Sequence, residues 1–148
     1  MINLIAAVSK NGIIGKDGTL PWRIPEDLKT FKSLTMDGVL FVGKKTFSTL
    51  PQLKGREVIQ LNRLSFPTLL DINNTNWPHK QLWIIGGAEI YKAALDLDII
   101  DNLYITRIDA EYEGDTYFPL DKLTRYRLIS EKALKAEDPC VILQEWAK

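Results

Sequence analysis

The chain has 148 residues, 45% of them apolar, and 19 basic against 19 acidic side chains, so its formal charge is zero. That length suits one compact domain over residues 1–148, and the charge balance argues against a broad nucleic-acid or anionic-membrane surface. A single cysteine, Cys140, and a single histidine, His79, exclude a disulfide framework and argue against a Cys/His zinc site.

Ile2–Val8 is apolar at successive positions, the pattern of a strand buried on both faces. A glycine-punctuated loop, Ser9–Thr19, leads to a helix predicted over Pro25–Leu34, with Pro25 at the first helical position where its missing N–H costs nothing. Asp27, Phe31 and Leu34 fall at i, i+4 and i+7 on one face, with Leu28 beside them. An acid on such a stripe is costly to bury unless it is paired, protonated or used. Asp27 and Glu26 would also serve the positive end of the helix dipole. Two rigid anchors, Pro21-Trp22 and Pro25, precede the acid and set how the helix enters.

Val39–Val42 reads as a second buried strand, ending at Gly43 and leading into a short helix, Lys44–Leu50. Glu57–Leu61 and Gln81–Ile85 are further strands, and Gly86-Gly87 turns the latter into a helix, Ala88–Leu95. Asn102–Asp109 is a strand, and Tyr126–Leu134 with Cys140–Trp146 form an antiparallel pair. Arg63–Lys80 gives no clear element. His79 reads there as a loop residue, and Cys140, beside Val141, as a packed thiol. Strands alternating with helices predict an α/β domain. Its central sheet is mostly parallel and twisted, with an antiparallel C-terminal hairpin and about four flanking helices. No basic-then-apolar leader and no long apolar span stands out, so a cytoplasmic protein is expected, with a monomer the simplest assembly.

The chain offers no Gly-x-Ser-x-Gly elbow, Walker loop or EF-hand, so a carboxylate and a bound cofactor are left to carry any chemistry. Gly86-Gly87 closes a strand and opens a helix, a place where backbone N–H groups can approach a phosphate; a structural turn accounts for it equally well. Gly43-Lys44-Lys45-Thr46 repeats the arrangement. Lysines at a helix start oppose the dipole, although a solvated pair is the ordinary reading. Arg56 before a strand and Thr106 within one have plain explanations too, as a surface cation and a satisfied core hydroxyl.

Taken together, the blocks Met1–Ala7, Gly12–Gly15, Leu20-Pro21-Trp22, Gly43–Phe47, Ile84–Tyr91 and Ile108–Pro119 resemble the dihydrofolate reductases, in order and over almost the whole length. The resemblance implies reduction of dihydrofolate by NADPH, with Asp27 holding the pterin and promoting N5 protonation. Thr106 and Trp22 would serve the same carboxylate and its water, and Leu20 would cover the nicotinamide. It implies a pterin bordered by Ile5, Ala6 and Ala7, an aminobenzoyl slot lined by Leu28, Phe31, Leu50 and Leu53, and Ile85 as a further substrate contact. Arg56 would clamp the glutamate-tail carboxylate. On the cofactor side it implies Ala7 and Ile14 at the carboxamide and Gly43, Lys44, Lys45 and Thr46 at the phosphates. Leu61, Asn62 and Arg63 would stand near the adenosine, Arg63 with Lys44 at its 2′-phosphate. Ile85, Gly86, Gly87 and Ala88 would form the pyrophosphate-facing segment, with Glu89, Ile90 and Tyr91 also on the cofactor, Tyr91 near the nicotinamide. The Lys10–Leu20 loop resembles the mobile flap, steadied by Gly114-Asp115. Arg63–Lys80 is shorter than in relatives and leaves little room for both a strand and a helix, so a more open adenosine pocket is expected. Two alternatives stand beside this reading: a same-fold reductase of a riboflavin- or pterin-pathway intermediate, and a non-catalytic binding protein of this fold.

Overall fold

A computed structural model describes residues 1–65, 67–74, 77 and 80–148; the loop expectation for His79 falls outside these. The strands are β1 (Ile2–Ser9), β2 (Ile13–Gly15), β3 (Val39–Val42), β4 (Glu57–Gln60), β5 (Leu82–Ile84), β6 (Asn102–Ile108), β7 (Thr116–Tyr117), β8 (Arg127–Lys135) and β9 (Val141–Ala147). The α-helices are α1 (Pro25–Thr35), α2 (Lys44–Phe47), α3 (Leu69–Asn74) and α4 (Ala88–Asp96), with a 3-10 helix over Leu120–Arg125.

Seven strands form one sheet in the order β4-β3-β5-β1-β6-β9-β8. The first five run parallel, and β9 lies antiparallel between β6 and β8. The predicted fold class holds. Strand β1 lies at the centre and β3 is wholly buried, which is why both read as unbroken apolar runs. Leu4, Phe41, Ile84, Leu103 and Ile105 form the main core against Leu95 of α4. Strand β8 is the exposed far edge, carrying Arg127, Glu131, Lys132 and Lys135, charges that discourage edge-to-edge pairing.

Several boundaries differ from the sequence expectations. Helix α2 stops at Phe47 rather than Leu50, and β4 stops at Gln60. Strands β2 and β7 and the 3-10 helix were invisible to periodicity because each is too short to show one. The Arg63–Lys80 stretch keeps a helix, α3, whose Ile72 is buried in the main core; among the described residues it holds no strand. Thr68 and Asp71 cap α3 reciprocally. The Thr68 N–H donates to Asp71 Oδ2 at 2.8 Å, and the Asp71 N–H donates to Thr68 Oγ1 at 3.3 Å. Asp71→Ala is expected to lower unfolding stability by about 1 kcal/mol in urea melts, with an unchanged slope. No described helix is long and apolar enough to cross a membrane.

Candidate active site

Strands β1 and β5 separate where the site lies. Their pairing stops at Leu4↔Ile84, whereas β1 stays on β6 as far as Ser9↔Ile108. From Ile5 onward the β5 side of β1 therefore has no ladder, and a cleft opens at the carboxyl ends of the parallel strands. The Tyr91 hydroxyl, from α4, closes part of the gap by donating to the Ile5 carbonyl at 2.8 Å. Ala7, two residues on, presents its backbone to the same side.

Strand alternation sorts the side chains. Ile5 and Ala7 share a face with Tyr104 and Thr106, their register partners on β6. Ala6 points the other way and is buried in the main core with Ile105. A period of two cannot put three consecutive side chains on one face, so at Ala6 only the backbone is left to the Ile5 side.

Helix α1 crosses the Ile5 face. It starts without a side-chain cap, with Pro25 in its first turn, and the Asp27 and Leu28 N–H groups both donate to the Ile24 carbonyl. Asp27 is held half-buried. Burial pushes its carboxyl above the usual carboxylate value, and a hydrogen-bonding interaction with the Thr106 side chain partly opposes the rise. Trp22 is buried, packs on Tyr112 with ring centroids 5.0 Å apart, and its indole N–H has no partner among the described residues. Farther along α1, Phe31 packs with Ile5, Leu53 and Ile85 on the Leu40–Trp83 cluster, while Leu28 stays exposed at its edge. Leu50 is half-buried and lies outside that cluster. Arg56 is held at this end. Its Nε donates to the Lys54 carbonyl at 3.1 Å and its Nη1 to Thr35 Oγ1 at 3.3 Å, and its guanidinium lies 5.9 Å from the Phe31 ring centre.

A second cluster occupies the ends of β4, β3 and β5. The Gly43 N–H donates to the Gly86 carbonyl at 2.8 Å, so the two glycine turns meet. The Gly86–Gly87 peptide is cis. A Cβ at Gly43 would lie 2.9 Å from Ile90 Cγ1, and one at Gly87 would lie 3.0 Å from Thr46 Oγ1. Helices α2 and α4 thus start side by side with bare backbone between them. Lys44 and Lys45 are exposed beside this cradle, Leu61 is buried beneath it, and the Asn62 N–H donates to the Pro67 carbonyl. The resemblance puts both Arg63 and Glu89 in the cofactor site; the structure pairs them with each other at 3.2 Å. Tyr91 is a structural strut: its hydroxyl is committed to Ile5, and burial, with a smaller effect of the Asp27 charge, pushes its pKa far up.

The Lys10–Leu20 loop, which the resemblance reads as a flap, is tied to the segment before the 3-10 helix. Strands β2 and β7 pair, the Asp115 N–H donates to the Gly15 carbonyl at 3.1 Å, and the Asp17 N–H donates to Asp115 Oδ2 at 3.0 Å. That N–H, with help from the Thr116 hydroxyl, holds the Asp115 carboxyl below its usual value. Leu20 is 47% exposed and Ile14 half-buried. Sequence reasoning missed Asn11. Its Oδ1 accepts from Ser9 Oγ at 2.6 Å and from the Tyr112 N–H at 3.2 Å, and its Nδ2 donates to the Tyr112 carbonyl. This bracket fixes the base of the flap and the ring under Trp22. The Asn11-Gly12 pair was its only local signal, and it marks a turn without naming the partner.

The family model described as dihydrofolate reductase matches residues 1–143. The chain belongs to the dihydrofolate reductase family. The type 9 dihydrofolate reductase of Escherichia coli is 32% identical, over 98% of this chain and 92% of that protein. The dihydrofolate reductase of Bacillus subtilis (strain 168) is 33% identical, over 89% of this chain and 83% of its own. Among solved structures, dihydrofolate reductase from Enterococcus faecalis complexed with NADP(H) and RAB-propyl superposes with a TM-score of 0.84 and 25% identity. That match covers 99% of this chain and 95% of the other. Membership in the dihydrofolate reductase family leaves the riboflavin- or pterin-pathway reductase and the non-catalytic binder without support.

Proposed function

We propose that Asp27 orients the pterin and promotes protonation of N5 in the NADPH-dependent reduction of dihydrofolate to tetrahydrofolate, the reaction of this family. The observation that carries this reading is the half-buried Asp27 carboxyl, facing Thr106 beside the opening between β1 and β5. The pterin offers two N–H-bearing nitrogens on one edge, and a single carboxylate can accept from both through charge-assisted bonds. Its negative charge then raises the basicity of N5, and water delivers the proton. The unpartnered Trp22 N–H suits a water in that network.

The cradle at the strand ends fits a dinucleotide phosphate. Gly43 and Gly87 leave backbone exposed where a Cβ would meet Ile90 or Thr46, and Lys44 and Lys45 add positive charge. Gly43–Thr46 and Gly86–Ile90 would hold the phosphates there, Leu61–Arg63 would stand at the adenosine, and the Ala7 and Ile14 backbones would hold the carboxamide. When bound, NADPH supplies the hydride taken up at C6. Ile5, Ala6 and Ala7 border the pterin and Leu28, Phe31, Leu50 and Leu53 line the aminobenzoyl slot, for a transfer in which near-attack alignment matters more than acid–base groups. Leu20 covers the site from the flap. Lys44 and Arg63 favour NADPH over NADH, Lys44 as a point charge without the bidentate fork of arginine. A cytoplasmic monomer is the matching setting.

The test is loss of NADPH absorbance with dihydrofolate, for the parent and for Asp27→Asn. Turnover that collapses in the variant supports the reading. A folded parent that binds both molecules without turnover sinks it. Arg56→Gln should raise KM for dihydrofolate about tenfold with little change in kcat, because a charge-assisted bond to the tail is uniform binding.

A further inference from the structure

The Arg63–Glu89 contact joins two parts of the sheet that do not touch. Arg63 follows β4, and Glu89 sits in the first turn of α4, which follows β5. Strand β3 lies between β4 and β5, parallel to both. A bond from Arg63 Nη2 to Glu89 Oε2 at 3.2 Å therefore passes over the end of β3, where Gly43 opens α2 with Lys44, Lys45 and Thr46. Ile90, next to Glu89, packs where a Gly43 Cβ would stand, so the start of α4 overlies that strand end.

We propose that Glu89 is a specificity-determining residue, which holds Arg63 as a strap across the phosphate cradle and competes with the adenosine 2′-phosphate for its guanidinium. The inference rests on the reading of Arg63 as a contact to that phosphate. Stability does not account for the pair. Both side chains are more than four-fifths exposed, and ion pairs in water contribute little to folding. Glu89 suits the positive end of α4 whether or not Arg63 meets it.

The consequence for binding follows from the exchange. A 2′-phosphate must take Arg63 from Glu89, so part of the new interaction replaces an old one. NADH lacks the phosphate and leaves the pair in place. Glu89 therefore weakens NADPH binding by the strength of the strap and does not penalise NADH through it. Repulsion between Glu89 and the pyrophosphate acts on both cofactors alike and cancels in the ratio of the two dissociation constants, whereas direct repulsion of the 2′-phosphate would persist without Arg63, so the Arg63→Gln background isolates the strap.

The experiment measures NADPH and NADH dissociation constants, by quenching of tryptophan fluorescence at fixed ionic strength. The proteins are the parent, Glu89→Gln, Arg63→Gln and the double variant. Glu89→Gln should raise the preference for NADPH about threefold, within the range an exposed ion pair can supply. Arg63→Gln should lower that preference. In the Arg63→Gln background, Glu89→Gln should leave it unchanged. Equal shifts for both cofactors in Glu89→Gln, with Arg63→Gln still lowering the preference, would overturn the strap alone. An Arg63→Gln protein with the parent's preference would remove the phosphate role of Arg63, and the proposal with it.

Discussion

Asp27→Asn lowers kcat for dihydrofolate by about 10²- to 10⁴-fold at neutral pH, the scale on which assisted protonation contributes, while making the folded protein more stable. The two effects share one cause. Burial raises the Asp27 carboxyl above its reference value of 3.8, against the opposing interaction with Thr106. The folded protein therefore holds this proton more tightly than the unfolded chain does. The stability so supplied is complete below the unfolded value and is lost as pH rises through the folded one. At neutral pH the parent carries an ionised carboxylate in a poorly solvated place, and the amide does not. Urea melts of parent and variant should coincide in acid and separate as pH rises, the variant unfolding at higher denaturant. A variant that loses stability along with activity at neutral pH would show that Asp27 is needed for the fold, and would contradict the account.

Gly114→Val disables the flap from outside the cleft. A Cβ at this position would lie 2.5 Å from Ile13 Cγ2 and 2.6 Å from the Gly15 carbonyl oxygen. The second contact is with backbone, which no rotamer change relieves, so β2 must move away. That movement pulls on the Asp115 N–H bond to Gly15 and the Asp17 N–H bond to Asp115, two of the bonds that hold the flap. Overpacking of this kind costs about 1–3 kcal/mol in stability. Displacing the element that carries Ile14 and Leu20 should lower kcat by about a hundredfold, the scale of a 1 Å misplacement. Stopped-flow measurement of the hydride step, beside equilibrium melts, separates the two losses. An unchanged hydride rate in the variant would show that the flap position does not limit the chemistry.

The seven strands of the main sheet, their order along the chain and the acid on α1 were legible locally. An unbroken apolar run such as Val39–Val42 needs burial on both faces, and the Gly43 and Gly86-Gly87 turns announce where backbone lies bare. Asp27 was legible for the same reason, as a charge on a stripe that the helix period turns inward. The resemblance of the ordered blocks then supplied roles that the residues alone left open, such as Arg56 and Thr106.

What local pattern leaves undecided depends on which strand lies beside which. Alternation says that Ala6 opposes Ile5 and Ala7, but only the sheet decides which face meets α1 and which enters the core. Strands β2 and β7 have five residues between them, too few to show a period, and they exist because residues about a hundred positions apart meet. The same holds for the bracket of Asn11 on Tyr112 and the strut from Tyr91 to Ile5. Arg63 and Glu89 each looked like a cofactor contact, and nothing in their own segments joins them. The β4-β3-β5 order brings them together over the phosphate cradle. Which residues must be buried or left bare is set segment by segment, because solvent acts on each through its own periodicity. Which polar groups satisfy one another is settled by the assembled sheet, because it depends on strand order, which local propensity does not encode.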